Sequence, residues 1–209
     1  MAERRSIAHS FDCDGVLVWR IPFQTDAVKL KHGSFIVPDK LPALDRVVDE
    51  TPVSRWDLNY RFHAIRRVTK LASRAIIAIS QGDIYLNTGR ENRRAYVDLT
   101  DRVLAKGGIR SRFKDLFFGV CELPTALTKI VWLDQLSEQY DLVYHYDDNP
   151  RTSLAVEKYF RERGGRNNVK SILVKDWSTD FLTRDVNPQD RPNLIVARNI
   201  LEAVRLAKA

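Results

Sequence analysis

Two aspartates separated by one residue, and followed at once by a glycine, lie in the stretch S-F-D-C-D-G-V-L-V at positions 10–18. The run at positions 7–11 is short and apolar enough to predict a buried β-strand, and Gly15 permits backbone dihedrals that a side chain would resist. We therefore expect Asp12 and Asp14 to point into one crevice. Carboxylates this close repel each other unless a cation joins them, and their hard oxygen atoms suit Mg²⁺. The alternative is an ordinary D-x-D-G turn.

The length of the chain, 209 residues, is most simply that of a single domain over residues 1–209 with a sizeable core. No apolar run approaches the roughly 18 residues or more that a membrane span needs. The N-terminus carries charge with no apolar segment after it, so it predicts neither a secretory signal nor a transit peptide. We expect a cytoplasmic protein with no membrane partner.

The net charge is +7, and the acidic residues cluster in the predicted site, which leaves the remaining surface more basic than the total. That bias favours polyanionic partners. Two cysteines, Cys13 and Cys121, are too few for a disulfide framework, and a bridge at Cys13 would distort the aspartate turn. We interpret both as reduced, and Cys13 as a small buried side chain rather than a nucleophile.

Strands and helices are predicted to alternate along the chain. After the first strand we expect a hairpin-like flap and then a short amphipathic helix, together covering about residues 18–50. A longer helix follows from about residue 56 to 79, with apolar residues at helical spacing and arginines and lysines on its other face. We interpret that face as a solvated basic surface, with a binding role as the alternative. The later strands are predicted at positions 83–90, within 109–120, at 142–146 and at 171–174, and the later helices at about 92–106, 124–140, 152–163 and 193–206.

This alternation is typical of an α/β domain with a doubly wound, Rossmann-like parallel sheet. Ligands of such sheets bind outside the carboxyl ends of the strands, where Asp12, Thr88 and Asp147 all fall. Thr88 and Gly89 offer a hydroxyl and backbone amides at a strand-to-helix junction, which suits an oxyanion, although a plain helix cap is the alternative. Asp147 and Asp148 repeat the acidic pair of the first strand.

The succession F-D-C-D-G-V-L-V, L-N-T-G-R, a helix lysine and Y-H-Y-D-D-N resembles the four motifs of the haloacid dehalogenase superfamily of phosphohydrolases, over roughly residues 11–149. The resemblance implies a Mg²⁺-dependent phosphomonoesterase that works through an aspartyl-phosphate. It further implies a role for each motif residue: Asp12 as the nucleophile, Asp14 as the general acid and base, Thr88 and Lys129 as contacts of the phosphoryl group, and Asp12, Asp14 (through its backbone carbonyl), Asp147 and Asp148 as the metal site. Lys114 is the competitor of Lys129 for the lysine position.

The spacings 12–88 and 88–129 are nearly filled by the predicted elements, so we expect no sizeable cap domain over the site. An open site can admit a phosphate at the end of a macromolecule. The run T-G-R-E-N-R-R, in which Gly89, Arg90, Arg93 and Arg94 are candidate substrate-binding residues, resembles polynucleotide phosphatase and RNA-repair domains of the superfamily. The arginines could equally be a solvated helix face.

Three functions remain open at this point. The favoured substrate is a phosphorylated RNA or DNA end or a nucleotide, and the second hypothesis is a phosphatase for a small sugar or nucleotide phosphate. The third is a non-catalytic RNA- or ribosome-binding module. The clustered acids at Asp12, Asp14 and Asp147 argue against the third, because they would repel a phosphate backbone without serving any chemistry.

Overall fold

The fold is built on a six-stranded, all-parallel sheet with the strand order β3-β2-β1-β4-β5-β6. The computed structural model describes residues 6–18, 38, 40–44, 46–54, 56–120, 123–162, 167–175 and 191–207. The strands are β1 (Ile7–Phe11), β2 (Asp83–Glu91), β3 (Phe113–Gly119), β4 (Leu142–Asp147), β5 (Val169–Val174) and β6 (Leu194–Ala197). Strands β2 and β3 extend the sheet on one side of β1, and β4, β5 and β6 extend it on the other. This reversal of direction at β1 confirms the predicted doubly wound α/β sheet.

Helices cover both faces of this sheet. They are α1 (Leu58–Ala64), α2 (Lys70–Ile77), α3 (Arg94–Lys106), α4 (Thr125–Gln139), α5 (Pro150–Glu162) and α6 (Ile200–Leu206). One apolar cluster joins the sheet to α2, α3 and α6, and a second joins its other face to α4 and α5. Since β1 and β4 lie in the middle of the sheet, the ends of these two strands are enclosed by both layers. No helix among the described residues is long and apolar enough to cross a bilayer.

The predicted short helix near residues 38–48 is wrong. The described residues between 40 and 54 contain no helix, and the backbone amide of Asp49 donates instead to the carbonyl of Asn92 over 2.8 Å. The extended path lets the Arg46 guanidinium lie over the rings of Phe117 and Trp132, 4.9 and 5.2 Å from their centroids. Contacts with β3 and α4 therefore override the local helical pattern. The predicted flap falls mainly on residues 19–37, which lie outside the described residues.

The long helix predicted over residues 56–79 is two helices, α1 and α2. Thr69 begins the second one, because its side-chain oxygen accepts from the amide of Ala72 over 3.0 Å. The predicted C-terminal helix also begins late. Residues 194–197 pair with β5 as the edge strand β6, and α6 starts only after Asn199, whose side chain caps it. In both places a polar cap residue marks the true start of the helix.

Candidate active site

Polar side chains gather at the carboxyl ends of the central strands. In β1, Phe11 is in register with Leu86 of β2 and with Tyr146 of β4. The residues just beyond these partners include Asp12 and Asp147, and the amide of Asp12 donates to the carbonyl of Tyr146 over 2.8 Å. Parallel pairing thus brings together acids that are far apart in the sequence.

Lys129, on α4, lies between these two carboxylates. Its Nζ is 2.9 Å from Asp12 Oδ1 and 2.7 Å from Asp147 Oδ2, and only 2% of the lysine side chain is exposed. The helix is fixed there by Asn87 of β2, whose amide donates to the carbonyl of Lys129 over 3.2 Å. Lys114, the competing lysine, is exposed and bonds instead to Asp83 over 2.6 Å. The geometry therefore places Lys129, and not Lys114, beside the predicted nucleophile.

The charges of these three groups depend on one another. Burial raises the pKa of Asp12 to about 6; Lys129 opposes this rise, and the anionic Asp147 adds to it. Burial would also raise the pKa of Asp147, but Lys129 and His145 hold it below the usual range. Burial opposes the charge on Lys129, and the two aspartates keep its pKa above normal. The lysine is thus a fixed cation against Asp12.

His145 lies behind Asp147 in the interior of the sheet. Its Nε2 is 3.3 Å from Asp147 Oδ2 and its Nδ1 is 3.3 Å from Ser10 Oγ, and none of these three side chains is exposed. Burial lowers the pKa of His145, so the ring is neutral. A carboxylate only accepts hydrogen bonds, so Nε2 carries the proton and the Ser10 hydroxyl donates to Nδ1. This chain fixes the orientation of Asp147.

Asp14 is held by two buried arginines. Arg90 donates from Nε to Asp14 Oδ2 and from Nη2 to Oδ1, each over 2.8 Å, and Arg66 pairs with the same Oδ1. Thr100 of α3 fixes the far side of Arg90 by accepting from Nη1 over 2.9 Å. His63 Nδ1 is 3.6 Å from Asp14 Oδ2. The carboxylate thus sits in a bidentate fork with a second cation beside it.

This clamp keeps Asp14 ionised. Burial alone would raise the pKa of Asp14, but Arg90 holds it well below the usual range, with His63 adding to the effect. Burial lowers the pKa of His63, which is therefore mostly neutral at pH 7. The neighbouring Cys13 is fully buried, and burial raises the pKa of its thiol to about 12, so the thiol is not a nucleophile at neutral pH.

Thr88 and Gly89 lie in the last part of β2. Thr88 is 1% exposed, and its hydroxyl accepts from the amide of Arg90 over 3.3 Å, which leaves the hydroxyl proton free to be donated. Gly89 is exposed, and a side chain there would collide with Thr125 at the start of α4. The glycine therefore permits the close approach of β2 to the helix that carries Lys129.

The candidate substrate-binding arginines differ in their surroundings. Arg90 points inward to Asp14, as described above. Arg93 lies 3.1 Å from Glu91 and 3.3 Å from Asp49, and Arg94 lies 2.7 Å from Glu50. The structure thus pairs all three of the predicted arginines with carboxylates of the chain itself.

Three carboxylates form a group that fits a divalent cation. One oxygen of each of Asp12, Asp147 and Asp148 lies within 4.8 Å of the others, and all three residues are buried. Gly15, with φ of +87°, belongs to this arrangement because a Cβ at that position would overlap the carboxylate of Asp148. Clustered anionic oxygens are the donor set that Mg²⁺ prefers. The side chain of Asp14, engaged by the arginines, is not part of this group.

The glycine can be tested with a matched pair of variants. Gly15→Ala and Gly108→Ala both place a side chain at positive φ, which costs about 1 kcal/mol of stability in each. Only at Gly15 does the new methyl group displace a carboxylate, since nothing lies within 4 Å of a Cβ at Gly108. We expect Gly15→Ala to raise the Mg²⁺ concentration for half-maximal thermal stabilisation at least about tenfold, a cost of 1.4 kcal/mol. Equal Mg²⁺ responses in the two variants would contradict the assignment of Asp148.

The sequence did not identify three of the residues that organise this site. Arg66 and His63 belong to a segment whose helical spacing assigned the arginines to a solvated face, whereas the structure interrupts the helix and Arg66 lies between α1 and α2. His145 occupies a strand position where its polar ring gave no sign of a partner. For Arg90, the run T-G-R placed it at the site but not against Asp14.

Comparison with known proteins supports the fold. No protein-family model matches the chain, and no curated protein does. Among solved structures, a haloacid dehalogenase-like hydrolase from Streptococcus pneumoniae is similar with a TM-score of 0.53 and 14% identity, covering 97% of this chain and 98% of that one. A haloacid dehalogenase-like hydrolase from Burkholderia xenovorans gives a TM-score of 0.52 and 14% identity, covering 96% and 98%. The chain therefore has the fold of the haloacid dehalogenase-like hydrolases.

Proposed function

We propose that this protein is a haloacid dehalogenase-type phosphohydrolase, a Mg²⁺-dependent phosphomonoesterase of the cytoplasm that uses Asp12 as its nucleophile. The observation that carries the proposal is the position of Lys129, which touches both Asp12 and Asp147 while Asp148 completes a three-carboxylate group. A nucleophilic carboxylate and a phosphoryl dianion repel each other. Lys129, and a metal ion held by the three carboxylates, would supply the positive charge that overcomes this repulsion.

Mg²⁺ would be held by Asp12, Asp147 and Asp148, with the backbone carbonyl of Asp14 as a further ligand. When bound, it would supply positive charge to the phosphoryl oxygens and the nucleophile. Lys129 provides a second, fixed cation on the same side, and the Thr88 hydroxyl can donate to a phosphoryl oxygen. These groups bind and orient the phosphate against Asp12.

The chemistry then takes two steps. In the first, an Asp12 oxygen attacks phosphorus, the bond to the leaving oxygen breaks, and that oxygen takes a proton from the carboxyl of Asp14. In the second, water attacks phosphorus and gives its proton to Asp14, and the Asp12 carboxylate is released together with inorganic phosphate. The clamp by Arg66 and Arg90 holds Asp14 as an anion, which suits the acceptance of the proton from water. The first step therefore requires that Asp14 takes up a proton when the substrate binds, before it can donate one to the leaving oxygen.

Within this mechanism, we favour a phosphorylated RNA or DNA end as the substrate, in keeping with the net charge of +7. One observation favours the second candidate, a phosphatase for a small sugar or nucleotide phosphate. Arg93 and Arg94, the residues predicted to track a backbone, are already paired with Asp49 and Glu50.

A substrate panel tests the proposal and separates its two forms. Hydrolysis of an aryl phosphate, mononucleotides, sugar phosphates and 3′- or 5′-phosphorylated oligonucleotides would be measured with Mg²⁺ and again with chelator. We expect Mg²⁺-dependent release of phosphate, with the highest kcat/KM on an oligonucleotide. Faster turnover of a sugar phosphate would select the small-substrate form, and hydrolysis that persists in chelator would contradict the mechanism.

Asp14→Asn tests the proton-transfer role. The variant should slow hydrolysis of poor leaving groups about 100-fold more than that of good ones, because a good leaving group needs little protonation. The change also leaves Arg66 and Arg90 buried without their anion, so we expect part of the variant protein to unfold. The ratio of rates for good and poor leaving groups does not depend on the amount of folded enzyme. An unchanged ratio would remove Asp14 as the proton donor.

A further inference from the structure

The segment that supplies Arg66 and His63 to the site carries an unusual surface. Between residues 58 and 82 the sequence contains five arginines and lysines and no aspartate or glutamate. Four of these cations are exposed: Arg61, Arg67, Lys70 and Arg74. We call these four residues the α1–α2 basic patch. Lys70 and Arg74 lie four residues apart on α2 and therefore on one face of the helix, where like charges repel.

Three cations of the patch lack the ion pairs that several other exposed cations make. Examples of such pairs are Arg46 with Asp115 at 2.6 Å, Lys114 with Asp83 at 2.6 Å, and Arg198 with Glu202 at 3.0 Å. Among the described residues, Arg67, Lys70 and Arg74 have no such ion pair. The positive potential here is therefore not neutralised by the described part of the chain.

The patch is attached to the active site. The amide of Thr69, between Arg67 and Lys70, donates to the carbonyl of Leu17 over 3.0 Å, in the turn that follows Asp12 and Asp14. The adjacent Arg66 reaches Asp14 itself. The residues between Arg67 and Lys70 thus lie next to the turn that carries Asp12 and Asp14.

An exposed aromatic side chain lies beside Arg61 of the patch. Trp56 is 68% exposed, and the guanidinium of Arg61 lies 5.9 Å from the centre of its ring. An exposed indole beside cations can stack a nucleic-acid base, and such stacking needs no base pairing in the ligand.

We propose that the α1–α2 basic patch, with Trp56, binds single-stranded nucleic acid and leads its phosphorylated end to Asp12. The identity of the end that is hydrolysed rests on the proposed function, whereas binding by the patch does not. Arg67, Lys70 and Arg74 contact backbone phosphates, and Trp56 stacks a base. This surface replaces Arg93 and Arg94 as the principal track for the strand.

The test measures binding separately from turnover. Anisotropy of a labelled, unphosphorylated single-stranded oligonucleotide would be followed at several salt concentrations. We expect Lys70→Glu combined with Arg74→Glu to weaken binding at least about tenfold at low salt and to flatten the salt dependence, because fewer counterions are released. Trp56→Ala should weaken binding about fivefold or more without changing the salt slope.

The matched control is Lys114→Glu combined with Lys158→Glu. Both cations are exposed, and they lie on the face of the sheet that α4 and α5 cover, whereas α2 packs on the other face. The control should bind like the wild type, so equal losses in the two double variants would mean a general charge effect and overturn the proposal. Wild-type binding by Lys70→Glu/Arg74→Glu would also overturn it, as would association with phosphatidylserine vesicles but not with the oligonucleotide.

The same proteins separate this inference from the proposed function. If the wild type hydrolyses an aryl phosphate but the patch variants bind the oligonucleotide unchanged, the proposal that the patch binds nucleic acid is wrong and the proposed phosphatase function is retained. If no phosphate ester is hydrolysed and the patch variants still lose binding, the patch stands and the phosphatase is wrong.

Discussion

Asp12→Asn should reduce turnover of an aryl phosphate by more than about 1,000-fold, the scale of loss seen when a nucleophile is removed from an enzyme. The amide nitrogen that replaces one carboxylate oxygen is a poor nucleophile, and the variant cannot form the acyl phosphate. The fold should persist, because the backbone contacts of Asp12 with Tyr146 remain. Initial rates at saturating Mg²⁺, with circular dichroism of the same sample, measure both expectations.

Asp115→Asn is the matched control for this change. Asp115 is also a carboxylate beside a cation, Arg46 at 2.6 Å, but both side chains are largely exposed and far from the strand ends that form the site. The activity of the Asp115→Asn variant should stay within about twofold of the wild type. The lost ion pair is exposed and contributes little to stability, so the fraction of folded enzyme should not change. A wild-type rate for Asp12→Asn itself would refute the assignment of the nucleophile.

Lys129→Met should lose activity and also stability. The substitution keeps the length of the side chain but leaves Asp12 and Asp147 buried without their cation, at a cost of about 3–5 kcal/mol in the free energy of unfolding. Added Mg²⁺ should restore part of that stability, because it supplies positive charge to the same carboxylates. Urea unfolding with and without Mg²⁺ measures the effect.

Lys114→Met is the control, and it decides between the two lysines considered for the same role. Lys114 is 56% exposed and pairs with Asp83, the first residue of β2, at the end of the strand away from the site. Its loss should therefore lower the free energy of unfolding by about 0–1 kcal/mol and leave activity intact. If instead Lys114→Met were inactive and Lys129→Met active, the site as described would be wrong.

The positions of the strand ends could be predicted because each one joins an apolar run to a polar turn. The run ending at Asp12 and the run ending at Asp147 both have this form, and parallel pairing then fixes that the two acids meet. The parallel direction of the strands followed from the alternation of strands and helices, whereas the order of the strands was not predicted.

The structural features that were not predicted from the sequence depend on contacts that no local pattern encodes. Residues 38–48 have a helical pattern, but Arg46 gains more by stacking on Phe117 and Trp132. Arg66 was assigned to a solvated face because the break of the helix at Thr69 was not recognised, although Thr69 is a good capping residue. The clamp on Asp14 requires Arg66 and Arg90, which are far apart in the sequence, and only the folded chain brings them together.

The central claim is that the phosphoryl group passes through Asp12. Enzyme quenched during turnover would be reduced with sodium borohydride, which converts an aspartyl-phosphate to homoserine, and the reduced peptides would be sequenced by mass spectrometry. We predict homoserine at position 12, only when substrate and Mg²⁺ are both present, and none at Asp14 or Asp147. Substrate hydrolysis with no homoserine at position 12 in enzyme quenched within the first turnover, or homoserine at another aspartate, would contradict the account.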